Sequence, residues 1–167
     1  MWHPEEFLEF LKERRSIRSF QKKEIKEEHL QMILEAGRWT PSASNRQPWE
    51  FIIIKDKEIF KNISKTAIYG RFFKHAALAI AIVGKPSESS NWYQVDTSLV
   101  SMQMILMAWA LDIGTCWIGA MDREKVKALL EISKEDYLLT VLPFGYIKGK
   151  VPKPTLRKSL EEIIREI

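Results

Sequence analysis

Apolar residues recur along this chain with two periods, and the switches between them mark its elements. In PEEFLEFLKERR, Phe7, Leu8 and Leu11 fall on one helical face, with Pro4 at a first-turn position that tolerates it. RSIRSF, directly after, is short and extended in character. A second helix is predicted over roughly residues 26–36, where EEHLQMILEAG carries Leu30, Ile33 and Leu34 at helical spacing and runs into Gly37, read as its stop. EFIIIK then reads as a strand, KEIFKNISK as a short helix and ALAIAIVG as a buried strand closed by Gly84. After the polar connector KPSESSNW comes DTSLVSMQMILMAWALDIG, apolar on nearly every side from Leu99 and closed by Gly114. A helix apolar all round is a buried one, here in a subunit interface as well as a core. TCWIGAM reads as a strand or tight turn, REKVKALLEI as an amphipathic helix and YLLTVLPFGY as a strand. The tail KGKVPKPTLRKSLEEIIREI crosses Pro152 and Pro154 and is expected to end in a helix. Alternating strands and helices predict an α/β or mixed α+β layer structure, and no repeat divides the chain, so residues 1–167 are expected to form one domain.

One connection is longer than this pattern requires. A helix-to-strand link in a compact unit takes roughly 2 to 6 residues. TPSASNRQPW, at residues 40–49, spends ten, with two prolines and a run of small and amide side chains. Its length asks for an explanation that the chain's own connectivity does not supply.

Bulk composition narrows the setting. Hydrophobic residues make up 46% and charged residues 29%, as in a globular protein, and the net charge of +4 is spread among interleaved signs with no basic stripe that would call for nucleic acid. The lone Cys116 permits no intrachain disulfide, and MWHPEEFLEF is acidic where an export signal would be basic. The longest apolar runs, AALAIAIV and MILMAWAL, fall far short of the roughly 20 residues that span a bilayer. A cytoplasmic protein is expected.

Familiar catalytic and nucleotide signatures are missing. His3, His29 and His75 are scattered without ligand spacing, so no metal is expected. No GxSxG, GxxxxGK[ST] or GxGxxG occurs, and Cys116 sits in an apolar run that suits a buried, inert thiol. What stands out is ERRSIRSF, which gathers Arg14, Arg15 and Arg18 around Ser16 at the end of the first helix. Guanidinium forks and a hydroxyl match phosphate oxygens, but cations at a helix end also simply complement its dipole. A second basic pair, Arg157 and Lys158, follows the prolines of the tail, where a surface role serves equally well.

Taken in order, RRSIRSF, PSASNRQPW, CWIGAM with the helix after it, LPFGY and the basic proline-rich tail resemble the nitroreductase family of FMN-dependent oxidoreductases, from about residue 12 to the end. The resemblance implies a mostly antiparallel central sheet flanked by helices, in a homodimer with a buried interface helix and two FMN sites, each built from both chains. It implies that Arg14, Arg15 and Ser16 hold the FMN phosphate and ribityl chain, with Arg157 and, less directly, Lys158 approaching from the tail. Arg18 would stand at the flavin's pyrimidine edge, where a positive charge favours uptake of hydride. From the other chain, Pro41, Ser42, Ala43, Asn45 and Gln47 would pack against the ring and ribityl chain. Ile118, Gly119 and Ala120 match the stretch whose amides face the flavin's reactive edge, Gly119 giving close approach.

The asparagine-and-lysine contact of many members has no clear equivalent; Tyr69 and Arg71 lie nearby. The segment between Gly84 and Asp96 is short where larger members insert helices over the substrate channel, which implies a more open pocket. The implied activity is hydride transfer from NAD(P)H through FMN to a nitroaromatic or quinone by a ping-pong cycle, with no obligatory acid-base side chain. The alternatives are dehalogenation, flavin cleavage or heterocycle oxidation on the same fold, and a flavin-binding or redox-sensing module without turnover.

Overall fold

The computed structural model describes residues 3–67 and 70–167. Its elements are α1 (Pro4–Glu13), α2 (Glu27–Arg38), β1 (Trp49–Ile54), α3 (Lys57–Thr66), β2 (Leu78–Gly84), α4 (Tyr93–Ala110), β3 (Ile113–Thr115), α5 (Arg123–Leu129) and β4 (Tyr137–Tyr146). The four strands form one sheet in the order β1-β2-β4-β3, every pairing antiparallel. This is the α+β architecture expected, a central antiparallel sheet flanked by helices.

The all-apolar strand β2 sits between two layers, and its period-2 geometry divides it between them. Leu78, Ile80 and Ile82 face Leu30 and Ile33 of α2 and Val100, Met104 and Ala108 of α4. Ala79, Ala81 and Val83 face Phe60 and Ile63 of α3, Phe73 and Val126 of α5. A register shift between Ile82 and Val83 pairs them with Thr140 and Leu138, leaving Leu139 as the extra residue of a bulge. That bulge is why Leu138 and Val141, three apart, share one face while Leu139 and Leu142 share the other.

RSIRSF runs, as expected, in extended form, along the β3–β4 end of the sheet. Ile17 N–H donates to Thr115 O at 2.8 Å and Gln21 N–H to Tyr146 O at 2.9 Å. Its close passage requires the paired glycines Gly114 and Gly145: a Cβ on Gly114 would stand 2.5 Å from Ile17 Cγ2, and one on Gly145 2.9 Å from Phe20 Cβ. Gly114 is therefore a packing residue within β3, and not the helix stop expected of it; α4 ends at Ala110, and the chain reverses through Asp112 at φ 57°. Gly37 likewise lies inside α2, where a Cβ would meet Met104 and Phe51 at 3.0–3.1 Å, so it permits α2 to lie close to α4 and β1.

One further expectation is corrected. The tail forms no terminal helix: residues 151–167 are exposed throughout, with a single turn at Leu160–Ile164. SLEEIIREI has a helical period, but a segment this short is not stable in water without a surface to cover. The apolar face of α1 is also outside the core, with no residue of the helix buried. Phe7 and Phe10 instead border an open apolar groove of about 880 Å³ shared with Met32 and Trp39 around α2 and with Leu99, Met102 and Leu106 of α4. Helix α4 thus has two apolar faces, one packed on the sheet and one bare.

Candidate functional site

A cleft of about 710 Å³ opens where the 16–21 segment, the turn at Gly70–His75 and the chain after β3 converge. Arg18, Arg71 and Phe72 line it together with Cys116, Trp117, Ile118, Gly119 and Ala120. The Ile118 carbonyl accepts a hydrogen bond at 2.9 Å from the buried Thr140 hydroxyl of β4, which ties this irregular stretch to the rigid sheet. Gly119 and Ala120 remain exposed. A Cβ on Gly119 would meet only the Trp117 indole, at 3.7–3.8 Å, so the protein itself leaves room for a side chain, and any demand for glycine comes from what enters the cleft. The Arg18 guanidinium lies 5.9 Å from the centre of the Phe72 ring. Cys116 is buried, and burial pushes its thiol above the ordinary range, against the opposing pull of Arg18, a Ser16 hydrogen bond and Arg14. That favours the neutral thiol.

Next to this cleft, cations accumulate without counter-charge. The Arg14 guanidinium is held below its ordinary pKa by burial first, then by repulsion from Arg15 and Arg157. Among the described residues no carboxylate pairs with Arg14, Arg15, Arg18 or Arg157. Arg15 donates through Nη1 to the Arg14 and Lys12 carbonyls at the end of α1, while its Nε is buried without a partner. Arg15 thus closes the helix, and the group as a whole has no carboxylate partner among the described residues. From the tail, Arg157 comes near enough to act on Arg14, whereas Lys158 is exposed with no side-chain contact among the described residues.

The long connection takes a built and strained form. After Pro41 and Ser42, residues Ala43–Asn45 make a 3-10 turn, and Ser44, Asn45 and Gln47 all have φ of 52–53°. Left-handed backbone in non-glycine residues costs of order 1 kcal/mol or more each and persists only where surrounding contacts enforce it. Here the Ser42 hydroxyl accepts from Gln47 N–H at 2.9 Å, and the Gln47 side chain donates to Asn45 at 3.3 Å. Asp96, buried at 3% exposure in the first turn of α4, accepts the Ala43 N–H at 3.2 Å through Oδ1. Its other oxygen is buried without a partner. No residue of 40–49 lines the cleft with Arg18 and Gly119; Thr40 and Pro41 line the apolar groove beside α1 and α4 instead.

The nitroreductase family model matches residues 11–68 and 60–146. The chain belongs to the nitroreductase family. An Archaeoglobus fulgidus relative, provisionally named an NADH dehydrogenase/NAD(P)H nitroreductase, is 34% identical over 153 residues, covering 87% of this chain and 88% of its own. An FMN-dependent nitroreductase from Clostridium difficile superimposes with a TM-score of 0.86 at 27% identity, over 95% of this chain and 98% of its own. A Desulfovibrio desulfuricans nitroreductase solved with FMN shares the fold alone, with a TM-score of 0.89 at 23% identity over 99% and 98% of the two chains. Membership makes this protein an NAD(P)H-dependent oxidoreductase.

Seen as a nitroreductase, the chain brings Arg18 and Ile118, Gly119 and Ala120 to one cleft, and Arg14, Arg15, Ser16 and Arg157 to its neighbourhood. Pro41, Ser42, Ala43, Asn45 and Gln47 do not line that cleft. Arg71, left open by the sequence, lines the same cleft; its place shortly before the buried strand β2 was the signal. Tyr69 lies outside the described residues.

Proposed function

We propose that this nitroreductase is a flavoenzyme that binds FMN across a homodimer interface and passes hydride from NAD(P)H to a second substrate such as a nitroaromatic or quinone. The observation that carries the reading is the unpaired cation group of Arg14, Arg15 and Arg157 beside an open cleft with an exposed glycine-containing wall. A phosphate satisfies the first and a flat ring fits the second, so the residues suit FMN. The FMN-dependent Clostridium relative supports the same cofactor.

Arg14 and Arg15, with Ser16 and the approaching Arg157 and Lys158, would hold the phosphate and ribityl chain. FMN, if bound there, would supply the two-electron chemistry that links NAD(P)H oxidation to reduction of the acceptor. Arg18 and Arg71 place positive charge in the cleft lining, which favours an arriving electron pair. Thr140, through the Ile118 carbonyl, keeps the Gly119–Ala120 backbone where a ring can lie on it. The strained loop at Pro41–Gln47 would form the other wall in the neighbouring subunit's site. The whole chain then acts as one FMN-binding domain, and the connection's excess length serves the partner.

Anaerobic mixing tests this. NADH or NADPH should bleach the flavin, and a quinone or nitroaromatic added afterwards should restore its colour without further nucleotide. Bleaching that no acceptor of either class reverses would favour a redox-sensing role.

A further inference from the structure

A second cleft, of about 720 Å³, lies on the other side of Arg18. Seven of the chain's 26 Lys and Arg residues line it, against one, Glu24, of its 22 Asp and Glu, so the remainder of the chain is net acidic. Three of the seven are partly engaged. Lys57 donates to the Ala76 and Ala77 carbonyls at 2.9 and 3.2 Å, Lys23 lies 4.6 Å from the centre of the Tyr146 ring, and Lys55 stands 3.7 Å from Glu27. Among the described residues, Arg18, Lys22, Lys74 and Lys148 have no carboxylate within ion-pair distance. Exposed cations collected on one concavity repel each other until an anion joins them.

This cleft adjoins the candidate flavin site. Arg18 lines both, and the partition is aromatic, with Phe20 and Phe72 at 6.4 Å between ring centres. The turn at Gly70–His75 gives Arg71 and Phe72 to one cleft and Lys74 and His75 to the other. A ligand with a flat redox end and a polyanionic end can occupy both at once. The volume is that of a small-molecule pocket, not of a track for a nucleic-acid strand.

We infer that the Lys22, Lys74 and Lys148 cleft binds the phosphate-bearing adenosine end of the reductant and that its cations select NADPH over NADH. The inference rests on the flavoenzyme reading for the position of the nicotinamide end. The 2′-phosphate adds roughly −1.5 to −2 charge, which NADH lacks, and the lysines supply the unsatisfied complement.

The probe is adenosine 2′,5′-bisphosphate, titrated calorimetrically into the purified protein beside AMP. The bisphosphate is expected to bind at least about tenfold more tightly than AMP, and to lose about tenfold in a Lys22→Gln/Lys74→Gln/Lys148→Gln variant. In turnover the same variant should raise KM for NADPH by a similar factor and KM for NADH by clearly less, with kcat and the flavin spectrum unchanged. Equal affinity for the two nucleotides, or an NADPH KM indifferent to the three lysines, overturns the inference, as does a cleft that takes only a polyanion such as duplex DNA. The two readings fail separately. A yellow enzyme that oxidises NADPH and ignores the lysines removes the cleft alone. A chain that takes up no FMN but binds the bisphosphate through these lysines removes the flavin and keeps the cleft.

Discussion

Arg18 stands where two clefts meet, and its charge should be felt in rate more than in affinity. Arg18→Ala is expected to slow reduction by NAD(P)H about 10- to 100-fold in stopped-flow experiments, as loss of one preorganised charge does, while FMN affinity changes by less than about threefold. Unchanged reduction would remove its electrostatic role. Cys116 gives a second residue-scale test. Because burial raises its thiol, less thiolate is present at a given pH than in the unfolded chain. At pH 8 it should therefore react with a thiol reagent at least about tenfold more slowly in the native protein than in urea. Equal rates would show that the site is open. At this scale the sequence conveyed the arginine cluster of RRSIRSF but left open whether it takes an anion or only closes α1. It said little of Arg71, because a lone cation before a strand has no pattern until the fold sets it in one cleft with Gly119.

Elements show where local pattern and tertiary packing part company. The run LAIAIVG was legible as a strand because burial on both faces needs no alternation. Gly114 and Gly37 misled because glycine marks a helix end by its backbone and a close contact by its missing side chain, and sequence alone does not separate the two. Gly114→Ala should cost about 1–3 kcal/mol by overpacking against Ile17, read as a lower urea midpoint; an unchanged midpoint would mean the 16–21 segment is not held against β3. The loop at 40–49 belongs to this scale too. Asp96→Ala removes the acceptor for the half-buried Ala43 N–H, a loss of about 1 kcal/mol. The expected result is weaker FMN binding with cooperative unfolding retained. Native affinity in that variant would show that Asp96 does not set the wall.

For the whole molecule, the bare face of α4 and the exposed tail are the features a single chain leaves unexplained. Leu99 and Met102 are 46% and 40% exposed in the groove that Phe7 and Trp39 border. A contiguous apolar surface of this kind marks an interface. The helical period of SLEEIIREI remained legible, but residues 151–167 are exposed and cover no surface of the chain that would hold a helix. A Leu99→Glu/Met102→Glu variant should sediment as a monomer and lose its flavin together, because the proposed site needs both chains. Monomers that keep FMN would contradict that dependence.

The arginines of one chain and the 41–47 loop of another are proposed to build one flavin site, and subunit mixing tests this most directly. An Arg14→Ala/Arg15→Ala chain and a Ser42→Trp chain should each form dimers with little bound FMN. After the two are unfolded together and refolded as a mixture, each mixed dimer should regain one intact site, seen as recovered flavin absorbance in the dimer fraction. Mixed dimers that form and stay colourless would contradict the account.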